Sequence, residues 1–114
     1  MAITGVHGLL YTSRPEELRA ALRDVLGWRH VDAGGGWLIF ALPPAELGVH
    51  PGETAHHEIS LMCDDLDATV AELRDRGIGF RDDRQEAGFG VTITMLLPGD
   101  VPVLLYEPHH PTAI

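Results

Sequence analysis

One order of elements, met twice, constrains this chain more than any motif in it. Residues 13–27, SRPEELRAALRDVLG, read as a helix. Ser13 is placed to cap it, Glu16 completes a capping box, and Pro15 suits the first turn. Leu18, Ala21, Leu22, Val25 and Leu26 form one apolar stripe, and Gly27 is placed to end the helix in the left-handed conformation. GVHGLLYT (5–12) precedes it as a strand. Three short strands follow: WRHVDA, then GWLIFALP beyond Gly34-Gly35-Gly36, then AELGVHP beyond Pro43-Pro44. The second half repeats this order. EISLMC is a strand, and DDLDATVAELRDRG is a helix capped by Asp64, with Asp67 at its third position, Leu66, Val70 and Leu73 as its stripe and Gly77 as its stop. GIGFRDD, VTITMLLP and VPVLLYEP follow, separated by turns around Gly88, Gly90 and Pro98-Gly99-Asp100. A shift of 51 residues lays Leu10 on Leu61, His7 on Glu58 and Leu22-Arg23-Asp24 on Leu73-Arg74-Asp75. Identities are few, so the repeat rests on element order and cap positions. The pattern is βαβββ twice, an α+β chain forming a single domain over 1–114, with units at 5–51 and 57–108 and a tail at 109–114. A ferredoxin-like βαββαβ domain has one strand fewer per helix and is the alternative architecture.

Composition removes several chemistries. All eight basic residues are Arg, which excludes a lysine Schiff base and a P-loop lysine. The two serines, Ser13 and Ser60, lie outside any G-x-S-x-G elbow. A net charge of −9 disfavours a nucleic-acid partner. No apolar run approaches the ~20 residues of a membrane span, and MAITGVHGLL has no basic n-region or cleavage site of a signal peptide. Cys63 is the sole cysteine, so no internal disulfide forms, in keeping with a cytoplasmic location.

Three stretches carry a resemblance: RDVLGW (23–28), CDDLDATVAELRDRGI (63–78) and LLPGDVPVLLYEP (96–108). With the paired βαβββ order they resemble the vicinal oxygen chelate superfamily, which holds glyoxalase I, extradiol dioxygenases, fosfomycin-modifying enzymes and bleomycin-type resistance proteins. The last stretch resembles the common D-P-D-G-x-x-x-E-L-x-E-P ending with substitutions. The resemblance covers roughly residues 5–108. It implies two half-barrels that form a cup with helices outside, a metal or ligand inside, and a homodimer in which the cup lies within one chain or across two. One fold of this kind hosts many chemistries.

Strand alternation then assigns side chains to the cup. His7, Leu9 and Tyr11 face it from the first strand, and Glu46, Gly48 and His50 from the fourth. Glu58, Ser60 and Met62 face it from the fifth, and Leu104 and Tyr106 from the last. Ile59, Leu61, Cys63, Val103 and Leu105 point to the helices. The resemblance implies metal ligands at His7, His50, Glu58 and the position of Leu104. Leucine stands where a glutamate is expected, and Glu107 lies an odd number of residues away, so a regular strand turns it from the cup. Two histidines and one carboxylate suit a facial triad or an open zinc site.

Two functions follow. One is a metal-dependent enzyme of lyase, isomerase or dioxygenase type. It would hold Zn, Fe, Ni or Mn on His7, His50 and Glu58, with Glu58 also as base, and act on a small substrate with vicinal oxygens. The other is a metal-free, bleomycin-resistance-like protein that binds or sequesters a small hydrophobic or aromatic compound. Tyr11, Trp37, Met62, Leu104 and Tyr106 are the ligand contacts, and Leu104 favours this reading. Trp28, Trp37, Phe40 and Phe89 are candidates for an aromatic lining, with Phe40 better placed in the core. Cys63 reads as structural, His30 as surface, His57 as turned from the cup or at the strand entrance, and His109-His110 as a solvated tail.

Overall fold

The chain is described from a computed structural model, over residues 2–114. Its second half keeps the predicted order and adds one short strand at Gln85–Ala87. β3 (Ser60–Met62) leads into α2 (Leu66–Asp75), followed by β4 (Gly79–Phe80), β5 (Gln85–Ala87), β6 (Gly90–Leu97) and β7 (Val101–Pro108). The strands form one sheet in the order β3-β7-β6-β4, with β5 also on β6. β6 and β7 pair antiparallel from Gly90↔Pro108 to Leu97↔Val101, and β3 lies parallel to β7 with Ser60 opposite Leu104. Period-two alternation sorts their side chains. Val91, Ile93, Met95, Leu97, Val103 and Leu105 are buried on the face that α2 covers with Leu66, Val70 and Leu73. Met95 and Leu66 are at the centre, at 0% and 2% exposure.

The first half is built differently. α1 (Pro15–Asp24) buries Leu18, Ala21 and Leu22, and Leu18 and Leu22 join the cluster formed by the sheet and α2. β1 (His30–Asp32) and β2 (Leu38–Phe40) make a separate antiparallel hairpin across Gly34–Gly36, each glycine at positive φ. The strands expected at 5–12 and 45–51 form no ladder. Both segments lack regular structure and are largely exposed, with Val6, Leu47 and Val49 more than 90% accessible. A period-two pattern supplies the side chains of a strand but not its partner, and among the described residues nothing pairs with either segment. The radius of gyration, 15.1 Å, exceeds the about 13 Å usual for this length, as unpaired segments require.

Two caps move by one residue. Pro15 occupies the first helical position of α1, and a residue before proline is held out of the helical region, so Arg14, not Ser13, is the boundary. Its amide donates to Thr12 Oγ1 (3.1 Å), whose hydroxyl donates to the Pro98 carbonyl (2.8 Å) and ties the first half to the β6–β7 turn. In α2 the cap is Asp65, not Asp64: its Oδ1 accepts from the Ala68 amide (3.1 Å), which leaves Leu66 free to point into the core. Gly27 and Gly77 stop the two helices at φ 69° and 91°, as their positions predict.

Gly90 opens β6 where β7 passes closest. A Cβ there would collide with the Glu107 carbonyl oxygen and lie 3.1 Å from its carbon. Gly90→Ala is therefore expected to destabilise the chain by about 1–3 kcal/mol, measured by urea unfolding. A loss under about 0.5 kcal/mol would show that this end of the ladder yields easily.

Candidate ligand-binding site

The face of the sheet away from α2 carries Ser60, Met62, Thr92, Thr94, Leu104 and Tyr106, as the register requires. Met62 lies opposite Tyr106, and Thr92 lies between Gln85 and Tyr106. Met62, Leu104 and Tyr106 are half-buried and Thr92 is 4% exposed. Three of the expected ligand contacts are thus neighbours on one surface. Phe89 meets Tyr106 edge-on (5.6 Å between centroids, 74°), so an aromatic corner closes its end. Burial first, and then the nearby Glu46 carboxylate, raise the Tyr106 phenol above its usual range, which keeps it a neutral donor and acceptor.

Leu104 presents methyl groups at the position where the resemblance implies an oxygen ligand. Glu107 does not replace it. Its Oε1 accepts from the Leu66 amide (3.1 Å) at the start of α2, on the opposite face, and its Oε2 lies 3.2 Å from His109 Nε2. With Asp65 it satisfies two of the four free amides of that helix. Cys63, also on the helix side, packs against the core, and burial pushes its thiol up.

The remaining expected residues lie elsewhere. His7 lines a cavity on the helix side of the sheet, and Trp37 does too. His50 is exposed, with Nδ1 2.8 Å from the Pro51 carbonyl, and Glu58 is exposed at the entrance to β3. Tyr11 is 84% exposed, because a segment without a ladder has no sheet face to assign it to. Among the described residues no three His, Cys, Asp or Glu side chains gather as a metal site. Within one chain His7, His50 and Glu58 therefore do not form one donor set that fits a metal.

The tail is exposed from Pro111 onward, yet two contacts hold it. His110 Nε2 lies 3.1 Å from the Tyr106 hydroxyl, and the Ala113 amide donates to Glu46 Oε2 (2.7 Å). The sequence offered no spacing rule for these contacts. It also gave no sign of Arg19 beyond its place beside Leu18 on α1. Arg19 stacks its guanidinium 5.0 Å from the Trp37 ring centre at the same cavity.

Several solved proteins superpose on this chain over nearly its whole length. An antibiotic-binding protein, TnmS3, from Streptomyces sp. CB03234 superposes with a TM-score of 0.66 at 22% identity, over 95% of this chain and 98% of that one. A member of the glyoxalase/bleomycin resistance protein/dioxygenase superfamily from Sphaerobacter thermophilus DSM 20745 gives 0.63 at 21%, over 92% and 98%. This chain has the glyoxalase/bleomycin resistance fold. A lactoylglutathione lyase from Agrobacterium tumefaciens has it as well (0.64 at 15%, over 91% and 93%). No protein-family model and no curated protein matches the chain. No helix among the described residues is long and apolar enough to cross a membrane. Within the glyoxalase-like fold, Glu107 is a helix cap. Glu107→Ala is expected to cost about 0.5–2 kcal/mol in thermal or urea unfolding. An unchanged midpoint would release Glu107 for a role at the site.

Proposed function

We propose that the chain binds a small hydrophobic or aromatic compound on the helix-free face of its sheet, and that binding is its function, in the manner of bleomycin-type resistance proteins. The observation that carries this reading is Leu104. It lies among Ser60, Met62, Thr94 and Tyr106 on that face, while the nearest carboxylate, Glu107, caps α2 on the other. Apolar walls with a few placed hydroxyls are the usual composition of a small-ligand site. The similarity to an antibiotic-binding protein supports the same reading. The acidic chain is poorly suited to nucleic acid, and its lone half-buried thiol suits a cytoplasmic setting.

The second reading is a metal-dependent lyase, isomerase or dioxygenase, with His7, His50 and Glu58 brought together by a second copy. It is favoured by the two unpaired segments, which carry His7 and His50 beside Val6 and Val49, each 94% exposed. Covering a valine or leucine contributes about 1.5–3 kcal/mol, so both readings include a homodimer.

Elemental analysis of protein purified without chelator, with an anaerobic Fe(II)-repleted sample alongside, separates the two. Essentially no bound metal is expected in either sample, and Leu104→Glu is expected to weaken binding of apolar ligands about tenfold or more. About one zinc, iron, nickel or manganese per chain, lost in Glu58→Ala, would install the enzyme reading instead. Sedimentation is expected to find a dimer that Val49→Asp shifts toward monomer. A wild-type chain that stays monomeric at high concentration would remove the dimer from both readings.

A further inference from the structure

The sheet has a second compartment behind it. A cavity of about 520 Å³ lies between the 6–12 segment, α1, β2 and the helix-side face of the sheet, where Leu97 and Val103 form part of its wall. Those two residues point away from Leu104, so the cavity and the helix-free face are different places. Its volume falls in the about 300–1,000 Å³ range of small-molecule sites. Leu18, Leu22, Leu38 and Phe40 line it, with both tryptophans of the chain, Trp28 and Trp37.

Charge sets the class of ligand. The chain has a net charge of −9, yet no aspartate or glutamate lines this cavity, and Arg19 is the one arginine that does. Arg14, Arg23 and Arg84 each pair with a carboxylate. Arg19 makes no ion pair among the described residues and lies against the Trp37 ring instead. Stacking holds the guanidinium in place and leaves its N–H fork available for a planar anion. The other polar side chains on the wall are His7 and Thr12, and the Thr12 hydroxyl already donates to the Pro98 carbonyl.

We propose that this cavity is a second binding site, for a compact apolar carboxylate whose hydrocarbon body fills the apolar walls and whose carboxylate pairs with Arg19. The test uses adamantane-1-carboxylate and the uncharged 1-adamantanol, both transparent where tryptophan emits. Binding is followed by calorimetry and by tryptophan emission. The carboxylate is expected to shift the emission saturably and to bind about tenfold tighter than the alcohol. Arg19→Gln is expected to erase that preference and Arg19→Lys to keep most of it, with both variants melting cooperatively. Equal binding of the two probes, a preference that survives Arg19→Gln, or no saturable binding of either would overturn the site. Calorimetric binding without an emission change would also overturn it, and would leave binding on the helix-free face standing. Carboxylate binding that vanishes as the chain dimerises would assign the cavity to a second copy.

Discussion

The pairing of β6 with β7 is the interaction on which the rest depends. It is the longest ladder in the chain, eight residues against eight, and it fixes which side chains share a face. Slipping β6 by one residue against β7 would send Ile93 and Met95 to the open side and bring Thr92 and Thr94 under the helix. The turn that closes it places Asp100 and Gly99 at positive φ. β3 then adds in parallel at β7, and that contact sets Met62 beside Tyr106. The helix-free surface is thus the reverse side of the core, and neither can change without the other.

The same ladder explains why the sequence could be read so far and no further. Strict alternation in VTITMLLP and VPVLLYEP separates core from open face residue by residue, and it turns Glu107 away from Leu104. Element order and the glycine stops of both helices were legible for the same reason: they are local. The caps slipped by one because a proline constrains its predecessor more strongly than a serine attracts the helix start, and because two adjacent aspartates are equivalent until Leu66 is buried. The segments at 5–12 and 45–51 have the composition of strands, but pairing is a long-range property that no pattern in a segment records. The cup positions of His7, Tyr11 and His50 depend on ladders that those segments do not make within one chain. Arg19 was missed for a different cause. A cation bordering an apolar stripe is ordinary in sequence and becomes unusual only when the acidic residues of the chain all prove to lie elsewhere.

Two sides of one thin sheet offer two kinds of surface. The helix-free side mixes hydroxyls with leucine, methionine and aromatic edges, and its phenol is kept neutral by burial. The helix side is apolar, with the Arg19 guanidinium stacked on Trp37 at the cavity rim. Val103 and Leu104 are adjacent in the chain yet belong to these different environments, which is the direct outcome of a two-residue period.

The uneven distribution of ladders also divides the chain in time. Amides in β6 and β7 are locked by pairing on both flanks for much of their length, so their exchange with solvent requires opening the sheet itself. Those in the 5–12 and 45–51 segments have no sheet to open and exchange from the native state. Whatever covers these segments, a second copy or another surface, would therefore act on the fast-exchanging half while the slow half keeps its own clock. The hydroxyl of Thr12, joined to the Pro98 carbonyl, is one narrow bridge by which the first regime reaches the second.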